Sequence, residues 1–411
     1  MESLRDKLKS LGVQTGMDSI KKQEPGHTVY PIDLVIDGEF RKNNFGSAFV
    51  VEKNFPAGFR HGNVDLCKIQ DYNLLSRWAK SNLLSSDNYQ NILFLDAETT
   101  GLAGGTGTFA FMIGLGHFSM NGFKFIQLFL QNPADEKAFL LTLDQILSSF
   151  EIIVTYNGKS FDIPLMTSRY VLQKHPVPFK NKEHIDLLHL ARRVWRNRLA
   201  SRTLGTLETE ILNLGRTQEE VPGWMVPELY TEYLKTGDAH PLTGVFYHNE
   251  IDILSLAAIF NVLAQMLSSP LESLFTENLD CIAIAGIYED LGYIHEAIKL
   301  YERSIGEGLP VDFLTETLNR YAKIHKRNGD WDSARKLWET SAGYNNIESC
   351  IELAKYYEHV RLDPSSALMW TNLAGELLKT NRNQKNFLIN DIAIEKRLKR
   401  LTEKENNRVN R

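Results

Sequence analysis

Four apolar residues, Ile92 to Leu95, run straight into Asp96 and Glu98 in the stretch "NILFLDAETTGLAGG". Side chains alternate between the two faces of a strand, so residues two apart point the same way. Both carboxylates therefore end a buried strand on one side of a sheet. Two like charges there repel each other and resist desolvation unless something positive lies between them. The pattern accordingly calls for a sheet with something positive at its edge.

The neighbouring pattern supplies the sheet. "ILFLDAE", "TFAFMIGLGHFS" and "FKFIQLFL" predict three strands joined by the glycine-containing turns "GLAGGTG" and "MNG". "GGTGT" (Gly104 to Thr108) lacks the following Lys-Ser/Thr of a phosphate-binding loop and reads as a hairpin turn. "DEKAFLLTLDQILSSF" predicts a helix with acids in its first turn, "EIIVTYN" a fourth strand, and "SFDIPLMTSRYVL" a second helix. "GVFYHNEIDILSLAAIFNVLAQM" closes the region as a long helix. A three-strand meander followed by helix, strand and helix is an α/β layout. Upstream, residues 1–90 form a leader in which "HTVYPIDLVI" and "FGSAFVVEKNF" look like strands and "LCKIQDYNLLSRWAKSN" like an amphipathic helix.

After Ser268 the texture changes to helix pairs. Ala297, Ala334 and Ala367 recur at intervals of 37 and 33, with Gly292 and Gly329 at turns and Tyr301 and Trp338 in equivalent aromatic places. A period near ~34 with small residues at helix crossings resembles tetratricopeptide repeats. The expected organisation is a leader (1–90), an α/β domain (91–268), helical repeats (269–378) and a basic helical tail (379–411).

At 411 residues the chain can hold two or three domains. Its start has no secretory pattern, and its most apolar run, "LSLAAIFNVLAQML", is interrupted by Asn261 and Gln265, so no membrane span is expected. Cys67, Cys281 and Cys350 are odd in number and far apart, which suggests neither a disulfide framework nor a zinc site and points to the cytoplasm. The net charge of −5 argues against a polyanionic partner, but Lys180 to Arg202 holds seven cations against two acids. That local excess fits nucleic acid.

Two further acids complete a constellation. "VTYNGKSFDIP" puts Asp162 just after a strand, with Asn157 before it and Phe161 adjacent, and "YHNEIDILSL" puts Asp252 on an apolar helix face. Each alone reads as a cap or an ion-pair partner; four in such positions do not. Carboxylates without a Cys or His pair suit Mg²⁺ or Mn²⁺, and two such ions ~4 Å apart clamp the attacking and leaving oxygens of a phosphodiester. His184 and His189 lie five apart, off one helical face, and read as structural.

"FLDAETTGL", "YNGKSFDIP" and "HNEID" resemble, in order and context, the three motifs of the DEDD exonuclease superfamily, over roughly residues 91–268. With the helical-repeat tail, the chain looks most like the bacterial YprB-like branch. The resemblance implies a ribonuclease H-like mixed sheet followed by an all-α repeat domain. It implies Asp96, Glu98, Asp162 and Asp252 as ligands of two Mg²⁺ or Mn²⁺ ions, and a 3′-end pocket near Thr99, Thr100, Gly101 and Leu102. Asn157, Lys159 and Phe161 are further expected substrate contacts. Relatives carry a histidine five residues before the last aspartate or a tyrosine four before it; here Tyr247 is five before and His248 four before. Residues four apart on a helix are ~40° apart around the axis and residues five apart ~140°. His248 is therefore the expected general base if the helix already runs through this motif. The expected activity is 3′–5′ hydrolysis of single-stranded nucleic acid to 5′-mononucleotides, with the repeats free to take a protein partner. Two alternatives stay open: a non-catalytic adaptor on a nuclease scaffold, and a ribonuclease H-like endonuclease.

Overall fold

The computed structural model describes residues 29–101, 107–215, 221–380 and 391–409. Its centre is a seven-stranded mixed sheet in the order β1-β2-β7-β6-β5-β8-β9. The strands are β1 (Glu39–Asn43), β2 (Gly46–Pro56), β5 (Ile92–Thr99), β6 (Ala110–Ser119), β7 (Gly122–Phe129), β8 (Ile152–Thr155) and β9 (Glu183–Asp186), with a two-residue hairpin, β3 (Arg60–His61) and β4 (Val64–Asp65), outside the sheet. The meander β5-β6-β7 is antiparallel, and β8 and β9 run parallel to β5.

Two expectations about the leader change. Residues expected as a strand in "HTVYPIDLVI" instead make a single helical turn, Ile32–Val35. Pro31 in the middle of that stretch has no N–H for a ladder but suits a helix start. The second expected strand is β2, and it pairs antiparallel with β7 from Phe49↔Phe129 to Pro56↔Gly122. The leader therefore completes the sheet. β9 and β1 had no strand reading in the sequence; β9 is four residues long and sits inside the basic segment.

The sheet's two faces carry different cores. Ile92, Phe94, Ile152 and Val154 face one apolar cluster, while Leu93, Leu95 and Ile153 face the other. The second cluster is covered by α2 (Glu136–Leu147), following the short α1 (Asn73–Ala79), and by α3 (Asp162–Leu172). Further along come α4 (Leu187–Val194), α5 (Leu204–Glu210) and α6 (Val226–Thr236).

The first cluster is built around α7 (Thr243–Ser268). This helix is long and apolar enough to cross a membrane, but 78% of its most apolar stretch is buried inside the protein. A helix apolar all round is one covered all round. The sheet lies on one side of it, α1 on another, and the C-terminal helices on a third. Close approach to the sheet depends on Gly114 and Gly116 of β6. A Cβ at Gly114 would lie 2.3 Å from Asn249 Oδ1 and 2.8 Å from Ile253 Cγ1, and one at Gly116 2.6 Å from Ile253 Cγ2. Tyr72 Oη donates to Asn261 Oδ1 (3.0 Å) and Asn261 Nδ2 to Leu66 O (2.9 Å), so Asn261 satisfies its buried amide by tying the leader to α7.

Beyond Ser268 the chain is helical: α8 (Asn278–Asp290), α9 (Ile294–Glu307), α10 (Val311–Arg327), α11 (Trp331–Gly343), α12 (Ile347–His359), α13 (Pro364–Thr380) and α14 (Asp391–Val409). Successive helices pack as antiparallel pairs, with Ala297, Ala334, Ala367, Tyr301 and Trp338 fully buried at the crossings. Gly292 and Gly329 have φ of +86° and +79°, which explains glycine at those two turns. The first of these helices share the core of α7: Cys281, Ile284, Ile287 and Leu300 belong to the same cluster as Leu263, Met266 and Trp195. Arg198 pairs with Glu277 (2.6 Å) and Asp280 (3.3 Å), and Arg193 with Asp290, across the same junction. The basic tail docks as well, because Arg397, Arg400 and Lys404 of α14 surround Glu358 of α12 at 2.7 to 2.9 Å.

Candidate active site

Alternation along β5 turns Asp96 and Glu98 toward the face that Ile92 and Phe94 share, which is the face covered by α7. A register irregularity falls between Glu98 and Thr99, so the strand leaves the ladder directly after the second acid. Asp162 is the first residue of α3, behind β8, and is 6% exposed. Asp252 and His248 both project from α7, which begins before Tyr247. The condition for His248 to share the face of Asp252 is thus met. His248 Nε2 lies 3.5 Å from Asp252 Oδ2 and 3.9 Å from Glu98 Oε1. Glu98, His248 and Asp252 offer ligand atoms all within 4.8 Å of one another.

The electrostatics express the crowding. Burial, and only then Asp96 and Asp162, pushes the Glu98 carboxyl up to about 8. Burial, then Asp96, pushes Asp162 up to about 8, and burial raises Asp96 to about 6 against the opposing hydrogen bond from Asn249. Without a cation, Glu98 and Asp162 hold protons that an ordinary carboxylate has lost at neutral pH. A divalent cation supplies the missing positive charge and oxygen donors are what hard cations prefer, so the residues present fit Mg²⁺ or Mn²⁺.

Asn249, unassigned in the sequence reading, is fully buried between the motifs. Its Oδ1 accepts from Gln127 Nε2 (3.0 Å), which also donates to Phe246 O (2.8 Å). With its oxygen engaged, Asn249 turns Nδ2 to Asp96 Oδ2 (3.3 Å). β7, α7 and β5 are thereby joined by one polar relay through the apolar core.

Asp186, at the end of β9, plays a comparable part for the second motif. Its Oδ1 accepts from the backbone N–H of Asn157 (2.8 Å) and Leu188 (3.1 Å), and its Oδ2 from that of Lys159 (3.0 Å). Asn157 takes φ +68°, a left-handed geometry that asparagine tolerates, and Gly158 packs on Thr155, where a Cβ would meet Oγ1 at 2.5 Å. His184 Nε2 contacts Thr155 Oγ1 at 2.8 Å, a structural use in keeping with its sequence reading. Lys159 is exposed on this loop and Phe161 sits half-buried at the start of α3.

At the expected 3′-end pocket, Thr99 is buried and its Oγ1 donates to Gly101 O (3.1 Å). Thr100 exchanges bonds with Phe109 through its N–H (3.1 Å) and its Oγ1 (3.2 Å). Leu102 and most of the expected glycine turn lie outside the described residues.

Comparison with known proteins decides the family. Over 329 residues the chain is 32% identical to the uncharacterized protein YprB of Bacillus subtilis (strain 168), covering 77% of this chain and 78% of that protein. The chain belongs to the YprB family. Its residues 93–264 match the RNase H superfamily, a nuclease-type domain that here carries an acidic group able to hold a metal ion. The family B DNA polymerase of Pyrobaculum calidifontis overlaps 52% of this chain and 29% of its own at 16% identity, with a TM-score of 0.34.

Proposed function

We propose that this YprB-family protein is a metal-dependent 3′–5′ exonuclease that shortens single-stranded nucleic acid to 5′-mononucleotides. The observation that carries the reading is the gathering of Glu98, His248 and Asp252 within reach of one ion, with Asp96 and Asp162 close enough to act on the Glu98 carboxyl, from one strand end and two helices, where the parallel strands end. Open α/β sheets bind their ligands at this edge. Asp96, Glu98, Asp162 and Asp252 would hold two Mg²⁺ or Mn²⁺ ions, which when bound neutralise the charge that builds on the phosphodiester oxygens.

The remaining work falls to the chain's own groups. His248 Nε2 takes the proton of the attacking water; imidazoles as a class titrate nearer neutrality than phenols, which suits them to that step. Asp252, 3.5 Å away, orients the imidazole. Asn249 keeps one Asp96 oxygen fixed, and Asp186 fixes the loop that delivers Asp162. Thr99, Thr100, Gly101 and Leu102 would meet the terminal nucleotide, while Asn157, Lys159 and Phe161 face the strand behind it. The helix pairs after Ser268 are tetratricopeptide-like in this reading and offer a surface for a protein partner.

The test is incubation of the protein with Mn²⁺ and 5′-labelled single-stranded DNA and RNA, each with a free or a blocked 3′ end. A ladder from free ends that is absent with blocked ends, and absent for Asp96→Asn, is the expected result. Cuts within the blocked substrates would replace the proposal by an endonuclease. No cleavage of any substrate would replace it by a non-catalytic adaptor.

A further inference from the structure

The arginines of the 180–202 segment divide into two groups. Arg193 and Arg198 face the C-terminal helices and are neutralised there by Asp290, Glu277 and Asp280. Arg192 and Arg202 face the other way, into a pocket of about 440 Å³, and among the described residues neither is in an ion pair. Arg192 is exposed on the last turn of α4. Arg202 is half-buried, and its Nη1 donates to Leu199 O (2.8 Å) and Ala200 O (3.1 Å), which fixes the guanidinium against its own turn.

The other walls are equally specific. Tyr156, whose hydroxyl donates to Arg202 O, supplies an aromatic surface held in place, and Leu188 and Leu204 supply apolar ones. Asn157 forms the rim shared with the loop that leads to Asp162. Asp186, outside the pocket lining, has both oxygens turned to three backbone N–H groups rather than to the arginines. The pocket opens at the ends of β8 and β9, the same sheet edge that carries Asp96 and Glu98 on β5. β9 is two strands from β5, a separation of about 10 Å.

We infer that this pocket is a strand-anchoring site: it binds one nucleotide unit of single-stranded nucleic acid, upstream of the bond that is cut. The phosphate lies between Arg192 and Arg202 and the base stacks on Tyr156. The volume falls within the range of sites that enclose one small ligand. Guanidinium groups match phosphate oxygens in geometry as well as charge, and aromatic stacking reads any base. The inference rests on the proposed substrate class but not on catalysis.

The experiment is fluorescence anisotropy of the full-length protein in EDTA with labelled dT and rU decamers across a salt series. Arg192→Gln and Arg202→Gln are measured beside Arg196→Gln, whose side chain lines a separate cleft against α8 and α10. Each of the first two should weaken binding about tenfold and lower the slope of log affinity against log salt by about 0.7, the share of one single-strand phosphate contact. Arg196→Gln should match wild type. The dT and rU arms show which nucleic acid the pocket takes. Unchanged affinity and slope in Arg192→Gln and Arg202→Gln, or no binding by wild type, overturns the site. Wild-type binding that needs these arginines, without any Mn²⁺-dependent cleavage, keeps the pocket and removes the nuclease. Cleavage with no effect of the arginines on binding does the reverse.

Discussion

Replacing Glu98 by glutamine should stabilise the protein in EDTA and destabilise it, relative to wild type, in Mn²⁺. Glu98 ordinarily loses its proton near 4.5; in the fold, burial and then Asp96 and Asp162 push it up to about 8. The folded state thus keeps a proton that the unfolded chain has released. Stability accordingly falls as pH rises above 4.5, and the loss is complete near 8. From 4.5 to 7 is 2.5 pH units, at 1.36 kcal/mol each, so the carboxyl costs about 3 kcal/mol at pH 7. Glutamine has nearly the same shape and no such cost. In EDTA, Glu98→Gln should therefore melt several degrees above wild type at pH 7 to 8 and level with it at pH 4.5. With Mn²⁺ at a thousand times its Kd, wild type gains about 4.1 kcal/mol, more than the carboxyl costs, and the variant, short of a ligand, much less, so the order reverses. Scanning fluorimetry over pH in the two conditions reads both arms. Parallel pH profiles in EDTA, or equal shifts with Mn²⁺, would refute the charge-crowding account of this site.

Other outcomes follow from single contacts. His248→Ala should lower the rate by about 10²–10⁴ with Mn²⁺-induced stabilisation retained, and Tyr247→Phe by little; rate assays giving the opposite order would pass the base to Tyr247. Gly114→Ala forces a Cβ to 2.3 Å from Asn249 Oδ1 and should cost about 1–3 kcal/mol in urea titration together with activity, whereas a neutral result would deny that α7 sits this close to the sheet. A fragment ending at Ser269 uncovers Leu263, Met266 and Trp195 and should be insoluble or lose cooperative unfolding; a soluble fragment with sharp melting would show that the shared cluster is dispensable. Glu358, held near 2 by Arg400 and Lys404 despite its burial, contributes stability above pH 4.5 that is lost as pH falls toward 2. Because those cations are about half exposed, the screened value is ~1–2 kcal/mol, and Glu358→Gln should hasten proteolysis of α14 at neutral pH.

The nuclease-type sheet was legible because its signals are local. Alternation in β5, the glycine turn of the β6–β7 hairpin and the run of α7 each lie within one element, so a short window shows them. The leader was harder, since β2 is recognisable as a strand but nothing in it states that its partner, β7, begins some seventy residues later. β9 was hidden by length: four residues, with Asp186 buried for its hydrogen bonds to Asn157 and Lys159 rather than for hydrophobicity.

Asn249 shows why a site is read from its sequence less completely than its fold. It stands inside the motif "HNEID", yet its role is fixed by Gln127, 122 residues before it, and by Asp96, 153 residues before it. A buried amide must satisfy both its ends, and those two distant groups help do so, one fixing the oxygen and the other receiving the N–H. The glycine opposite Asp96 in the β6 ladder, Gly114, is what admits the amide at all. Four carboxylates reveal themselves by being charged where apolar residues belong. The groups that aim them are neutral, ordinary in composition and separated by whole elements, so only the folded chain identifies them.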